Sequence, residues 1–545
     1  MLDRLMGTET EYAIRYGAAP GGSDLGRDVI YDKIIEAVKA EVAVTPASGL
    51  VNYVRKRFFT ANGGAIYYEH QPQWPEAGLV EGATPECRGP GDLLRYQRAQ
   101  DRLLERAIRR VQQRLPDGAK IGLRKNARDV DGNIYGPQES YEAEIASGWR
   151  LALWRLGVLV LIPWIVVAAV LLWLLMFVVI AVLLVSTIVV AMFSLGDAER
   201  ALEAWQRRVA PASQNFMEFA SHVVLGPAFI GLSLMVRALA WRSQRHALVG
   251  LLASRSVISG AGTLLPDGRL VLCEKVYGLA RTIRWTATSS DRAIFEIGHL
   301  MKQLSEPMWL RPSKLGLLIG RRQRLQLSLS DSNRCDVAEY LKLATTALVL
   351  DMAEAGLLQD APVPIRPLQA ARQISDDPDL KVHIDLKDGT TMSALQIQRF
   401  YQARAKTFVE ASDVSSLPAV ELVQLWGDVL DALERDPDEL IGQIDWVSKR
   451  ALLRRAEDQP GPVRKRIDLG YHDLVDGYHA SLDQAGLVRR LVEDDEIDRA
   501  IVTPPSDSPA GLRGRLVQQG ATRVDWNRAK LGGKVIRIDS FRKRK

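Results

Sequence analysis

Along "MGTETEYAIRY" (residues 6–16) polar, β-branched and aromatic positions alternate with a period of two, which predicts a β-strand. On that strand Glu9 and Glu11 share one face, and Thr8, Thr10 and Tyr12 share the other. "RLQLSLSDS" (Arg324–Ser332) alternates in the same way and reads as a second strand. A helical spacing runs through "DLLRYQRAQDRLLERAIRRVQQRL" (Asp92–Leu115), which reads as an arginine-rich amphipathic surface helix. In "DVAEYLKLATTALVLDMAEAG" (Asp336–Gly356) an Asp at the N-cap position, a long apolar stripe and a closing Gly predict a buried helix. After the proline-rich connection "QDAPVPIRPLQ", "VHIDLKDGTT" predicts a hairpin with a DG turn, and a helix follows it. From about residue 400 the pattern is mostly helical, closing in short strands around "GGKVIRIDSF". Mixed signals of this kind predict an α+β fold.

The pattern breaks at Leu156–Gly196, 41 residues without a charged side chain. As one helix the run would be about 60 Å long, roughly twice the ~30 Å hydrocarbon thickness of a bilayer. A weaker apolar run follows at Ala220–Val236. If the segments before and after build one domain, the chain must cross the membrane an even number of times. Either the first run folds back on itself, or it spans once and the second run returns. Arg150 and Arg155 precede the insert and Arg237, Arg242 and Arg245 follow it, so the positive-inside bias places both flanks in the cytoplasm. The expectation is a membrane-anchored protein with two crossings and its soluble bulk facing the cytoplasm. The expected domains are a catalytic domain in two parts, 1–149 and 245–400, a membrane insert at 150–244, and a C-terminal domain at 401–545.

Composition changes this picture little. With 25% charged and 47% hydrophobic residues the 545-residue chain has ordinary globular composition. The net charge of +6 is small, and the basic tail "RIDSFRKRK" reads as a solvated terminus or membrane-surface contact, so no nucleic-acid partner is expected. Cys87, Cys273 and Cys335 form no CxxC pattern, which indicates neither a zinc site nor a disulfide framework. Charges at Asp3, Arg4, Glu9 and Glu11 interrupt any signal-peptide pattern at the start.

Candidate chemistry concentrates in four stretches. Glu9 and Glu11 form the first. "NGGAIYYEHQPQWPE" (Asn62–Glu76) is the second; it places Tyr67 and Glu69 on one strand face, with Glu76 and then Glu86 of "GATPEC" in the following loop. "KNARDVDGNIYGPQESYEAE" holds Lys125, Asn126, Gln138 and Glu139, and the last strand holds Arg324, Gln326 and Ser328. Like charges on one strand face are costly unless a cation lies between them, and hard cations take carboxylate oxygens. Acid-rich strands converging on one basket are how a sheet holds Mg²⁺ for a nucleotide. No GxxxxGK[ST] or GxGxxG is present, so neither a P-loop nor a Rossmann turn holds the phosphates.

These motifs, together with "SVISGAGTL", "DSNRCDVAEYLKLATTALVLDMAEAG", "ALERDPDELIGQIDWVSKRALL", "IDLGYHDL" and "TPPSDSPAGLRGRL", resemble the Pup ligase/Pup deamidase family in order along nearly the whole chain outside about 150–244. The resemblance implies a glutamine-synthetase-like antiparallel sheet flanked by helices and a small mostly helical C-terminal domain; the helical transmembrane insertion expected from the apolar run lies outside it. It implies ATP and Mg²⁺ as cofactors. Its implied partners are a Pup-like modifier, its protein substrates and indirectly a proteasome; the apolar insert adds the membrane. By position it makes Glu9 a Mg²⁺ ligand, with Tyr67 and Glu76 lining the metal site, Thr84 and Trp526 contacting ATP, and Glu69 standing at the catalytic aspartate. An insertion before "ATPE" leaves Glu76, Glu81 and Glu86 open as the loop ligand.

Departures accompany the likeness. Glu69 is one methylene longer than Asp, Ala65 stands at an ATP-contacting arginine, Gln138 and Gln326 replace two histidines, and Pro509 replaces an arginine. Together they point to altered or weakened chemistry. "GTE", "YYEH", "TPEC" and "LERDP" lean to the deamidase branch; the short spacing from Glu11 to Glu69 and "VDWNRAKL" are closer to the ligase. The expectation leans to deamidase, with ligation as the alternative and a membrane-tethered modifier-binding protein as a third.

Overall fold

In the computed structural model the structure describes residues 1–48, 55–69, 78–129, 133–193, 198–284, 292–305, 312–412 and 417–538. The alternation at the start of the chain becomes β1 (Leu5–Gly17), with Thr8, Thr10 and Tyr12 buried and Glu9 and Glu11 half-buried. Around it lie β2 (Val44–Pro46), β3 (Phe58–Thr60), β4 (Ala65–Glu69), β5 (Leu79–Ala83), β6 (Cys87–Arg88), β7 (Lys120–Arg124) and β8 (Gln138–Glu144). On one edge of β1 the order is β5-β4-β3-β2; on the other, β8 and then the strand Arg322–Leu327. β6 and β7 also pair with β1, and every one of these pairings whose register is known is antiparallel.

The helix Pro90–Gln112 starts after Gly89, whose φ of 86° few other residues adopt, and has proline in its first turn. It covers the Thr8/Thr10/Tyr12 face: Thr8 Oγ1 donates to Gln97 Oε1 at 2.5 Å and Tyr12 Oη to Asp101 Oδ1 at 2.7 Å. The arginine-rich pattern suggested a surface helix. The structure instead buries Arg98 and Asp101 on its inner face, because Asp336, Lys125 and Arg334 complete an ion network there. The helix Asp336–Glu354 is buried as its apolar stripe requires, and Gly356 follows it at φ 77°. Near the C-terminus three short strands (Arg523–Asp525, Arg528–Leu531, Lys534–Arg537) and the helix Pro509–Gln518 pack on Phe59, Ala65, Tyr67 and Ala83 of the large sheet.

The chain forms two compact units. The first holds Met1–Ala143, Ser243–Leu279 and Arg324–Lys545, with both sides of residue 400 in it. The second holds Glu144–Arg242 and Ala280–Gln323 and is wider than the expected insert. Its core is the 46-residue helix Gly148–Phe193, unbroken where a fold-back was one expectation, and the 41-residue helix Ala198–Ala238. The two run antiparallel: a Cβ on Gly157 would stand 2.4 Å from Met235 Cε, one on Gly231 3.2 Å from Leu161 Cδ2, and Trp164 Nε1 donates to Val224 O at 3.3 Å. Trp154, Val158, Ile165 and Ala168 are buried, while Val160, Trp173, Leu184 and Phe193 lie exposed. Both helices are long and apolar enough to span a bilayer. Ser233 Oγ and Arg237 Nη2 donate to the carbonyls of Arg284 and Ile283 at 2.9 and 3.1 Å, tying the hairpin to segment 280–284. The strands Arg281–Ile283 and Ala293–Glu296 pair in parallel, so the β-structure is mixed where an antiparallel sheet was expected.

Candidate active site

Antiparallel pairing puts facing residues on the same side of a sheet. Glu11 of β1 faces Glu81 of β5, and Glu81 faces Tyr67 of β4, which makes one row across three strands. In the next row Glu9 faces Ala83 and, on the other edge, Gln138; Ala83 faces Ala65. On the other side of the first row Glu69 faces Leu79, which faces Ala13. Register therefore gathers Glu9, Glu11, Glu69, Glu81 and Tyr67 on the sheet face opposite the helix Pro90–Gln112.

Each carboxylate is held. Arg324 Nη2 lies 3.3 Å from Glu9 Oε1, the Gly136 amide donates to Glu11 Oε2 at 2.6 Å, Arg55 Nη2 donates to Glu69 Oε1 at 3.0 Å, and the Tyr67 hydroxyl donates to Glu81. Burial, and then the charges of Glu9, Glu11 and Glu69, push the Glu81 carboxyl well above the usual carboxylate range. Burial, Glu81 and Glu9 push the Tyr67 hydroxyl well above its usual range, so it stays a donor. Among the described residues no three His, Cys, Asp or Glu side chains stand close enough to enclose a metal as they are arranged. The donor set is nonetheless all oxygen, and the repulsion concentrated on Glu81 is what a divalent cation would relieve.

The carboxylates are flanked by cations and an aromatic ring. The Arg57 guanidinium lies 4.5 Å over the Tyr67 ring and 5.9 Å from that of Trp526. Trp526, half-buried, packs edge-on against Phe59 at 5.0 Å. Thr84 is at the same sheet, but its hydroxyl is buried and accepts the Thr8 amide at 3.1 Å.

Of the loop carboxylates, Glu76 lies outside the described residues, as does His70. Glu86 is the ion-pair partner of buried Arg513, leaving Glu81 as the one that shares the row. The signal for Glu81 was its two-residue phase with Leu79 and Ala83. Arg55 and Arg57 left no motif to read. Gln326 Nε2 donates to Gln138 Oε1, so the two glutamines at histidine positions pair with each other. Pro509 begins a helix. Glu139 and Lys125 turn away from the site: Glu139 forms a two-pronged buried pair with Arg255 at 2.7 and 2.9 Å, and Lys125 Nζ lies 3.0 Å from Asp101. Cys87 is a buried thiol that burial pushes well above the usual range, which makes it inert.

Comparison with known proteins bears on what this face does. The chain is 32% identical over 334 residues to a Pup–protein ligase of Mycolicibacterium smegmatis, a match covering 57% of this chain and 69% of the relative. It is 37% identical over 237 residues to one of Rhodococcus opacus, covering 40% of this chain and 52% of that protein. Two solved structures share the fold. The ligase PafA in complex with Pup has a TM-score of 0.65 at 21% identity, covering 98% of this chain and 89% of the other. PafA in complex with ADP has 0.61 at 20% identity, covering 96% and 92%. The sequence leaned to the deamidase branch; these relatives are ligases by name, and the ligase alternative fits better. The family model of the Pup-ligase protein matches residues 4–530, a span that takes in every strand of the carboxylate face, and the chain is an enzyme of that family.

Proposed function

We propose that the chain is an ATP- and Mg²⁺-dependent ligase that joins the C-terminal Glu of a Pup-like modifier to a lysine amine of a protein substrate. The observation that carries this reading is the Glu11–Glu81–Tyr67 row between Glu9 and Glu69. Glu9 and Glu81 would hold Mg²⁺, with Tyr67 lining the site. The bound ion supplies positive charge to the phosphoryl oxygens during transfer. Trp526 offers an aromatic face to the nucleotide base, and Arg57 offers positive charge beside it.

A carboxylate oxygen of the modifier's C-terminal residue attacks the γ-phosphorus and ADP departs, leaving an acyl phosphate. The lysine nitrogen then attacks the acyl carbon, its proton passes to the Glu69 carboxylate, and phosphate leaves as the amide forms. Arg55 holds Glu69 in position for that transfer. The extra methylene of Glu69 moves its oxygens by about 1 Å relative to Asp, a displacement that can cost about 100-fold in rate unless the backbone compensates. The helix pair Gly148–Phe193 and Ala198–Ala238 anchors this enzyme in a membrane with two crossings and its catalytic unit in the cytoplasm; the long exposed apolar surface supports that reading.

The test is purified protein in detergent with Mg²⁺, ATP, a lysine acceptor and modifiers ending in Glu or Gln, followed by intact mass and ADP release. Conjugates formed one for one with ADP are expected. Conversion of the Gln form to the acid without matching ADP would overturn ligation in favour of deamidation. Nucleotide binding with no turnover would leave a tethered binding protein.

A further inference from the structure

The open face of the sheet carries a charged feature that the chemistry above leaves unused. Glu9, Glu11, Ala13 and Arg15 alternate along β1 and share its half-buried face. On the far edge Ala13 faces Arg124 and Arg15 faces Gly122, so the two arginines stand on that face side by side. Both lean on a single carboxylate: Arg15 Nη2 lies 3.3 Å and Arg124 Nε 3.7 Å from Asp473 Oδ2. The other oxygen, Oδ1, accepts the Val475 amide at 3.2 Å. Two cations on one anion leave a positive charge uncompensated. The Nε atoms of both arginines are buried without a hydrogen-bond partner among the described residues. Tyr135 lies within electrostatic reach of both Arg124 and Glu11, linking the pair to the carboxylate row. Gly122 leaves room for the arrangement: a Cβ there would stand 3.1 Å from Arg15 Nη2 and from Asp473 Oδ2, close enough to displace them by a few tenths of an ångström.

The geometry points to an anion-binding subsite, formed by Arg15 and Arg124, that holds the second carboxylate of the modifier's C-terminal glutamate. The assignment rests on the ligase reading. A C-terminal glutamate carries two carboxylates and ligation consumes one; the other stays negative beside four glutamates and needs a cation. Arg124, Ala13, Leu79 and Glu69 form one cross-strand row. Its ends are three strand spacings, or about 14 Å, apart, a gap that the two side chains and one glutamate fill. Trp526 and Arg57 lie at the β3–β4 end of the face, away from the arginines, which favours a substrate carboxylate over a nucleotide phosphate as the anion held.

The experiment measures binding of a fluorescent modifier peptide, ending in Glu with either a free or an amidated α-carboxyl, to the full chain in detergent with Mg²⁺ and ADP. For the wild type, amidation should weaken binding about 10- to 100-fold, the worth of a charge-assisted contact. In R15A/R124A both peptides should bind equally and weakly, with ADP affinity unchanged. The milder R15Q and R124Q should each lose part of the discrimination, which separates recognition from misfolding. Retained discrimination in the double variant, or loss of ADP affinity with discrimination intact, overturns the subsite. A wild type that forms conjugates but treats the two peptides alike overturns the subsite alone; one that binds neither peptide overturns the ligase reading with it.

Discussion

Replacing Asp101 with Asn removes the anion that three cations share. Lys125 Nζ lies 3.0 Å, Arg98 Nη1 3.3 Å and Arg334 Nη1 3.9 Å from its Oδ2. Lys125 is only 1% exposed. Asn can still accept the Tyr12 hydroxyl, so the loss is almost wholly electrostatic. Breaking a buried pair from one side costs about 3–5 kcal/mol, because the remaining charge keeps its desolvation penalty. Hydrogen exchange on the full chain reads this locally. Amides of β1 and of the helix Pro90–Gln112, which Asp101 joins, should lose about two to four orders of magnitude of protection. Burial alone would raise the Asp101 carboxyl, but Lys125, Arg98 and Arg334 outweigh it and hold the carboxyl below the usual range. Its contribution is therefore complete above the unfolded carboxylate value of about 4 and is lost as pH falls through the lowered folded value. Burial holds the Lys125 ammonium below the usual lysine range even beside Asp101. In D101N that lysine sheds its proton at still lower pH, so the deficit should shrink as pH rises. Less than a tenfold loss of protection at neutral pH, or a deficit that grows with pH, would refute the reasoning.

Four further outcomes follow from the same structure. Because the Glu81 carboxyl is raised, its contribution to the ion-free protein is complete below the unfolded Glu range and lost as pH climbs through the raised value; Glu81→Gln should flatten that loss. Below the raised value of Glu81, Mg²⁺ should also release a proton from the wild type and not from E81Q, read by calorimetry in buffers of different ionisation enthalpy. Glu69→Ala should cut conjugate formation by about 100-fold or more while ADP affinity holds; unchanged turnover would remove Glu69 from the chemistry. Val178, 58% exposed midway along the first long helix, tests the membrane anchor. Val178→Arg should cost about 2.5–3.5 kcal/mol of insertion and make the protein easier to extract with alkaline carbonate, whereas equal extraction would argue against a bilayer around this helix.

Much of the architecture was legible because it is local. The two faces of β1, the stop at Gly356 and the two membrane-length helices follow from period, caps and apolar length, which adjacent residues determine among themselves. That Glu9 shares a face with Glu11, and Tyr67 with Glu69, was legible for the same reason, each being in phase with its strand neighbours. The site was only partly so. The sequence placed the loop ligand at Glu76, with Glu81 and Glu86 open, because an insertion hides which carboxylate follows the strand. Only the β1–β5–β4 register shows that Glu81 stands between Glu11 and Tyr67 while Glu86 neutralises Arg513. Lys125 and Glu139 looked like site residues but are core charges, since their partners Asp101 and Arg255 are far away in sequence. Arg15 and Arg124 carried no signal at all until β7 paired with β1. The sequence by itself determined which residues could share a face. Which faces meet, and so which charges are compensated, was decided by long-range strand pairing and burial, whose energies depend on partners that no local pattern specifies.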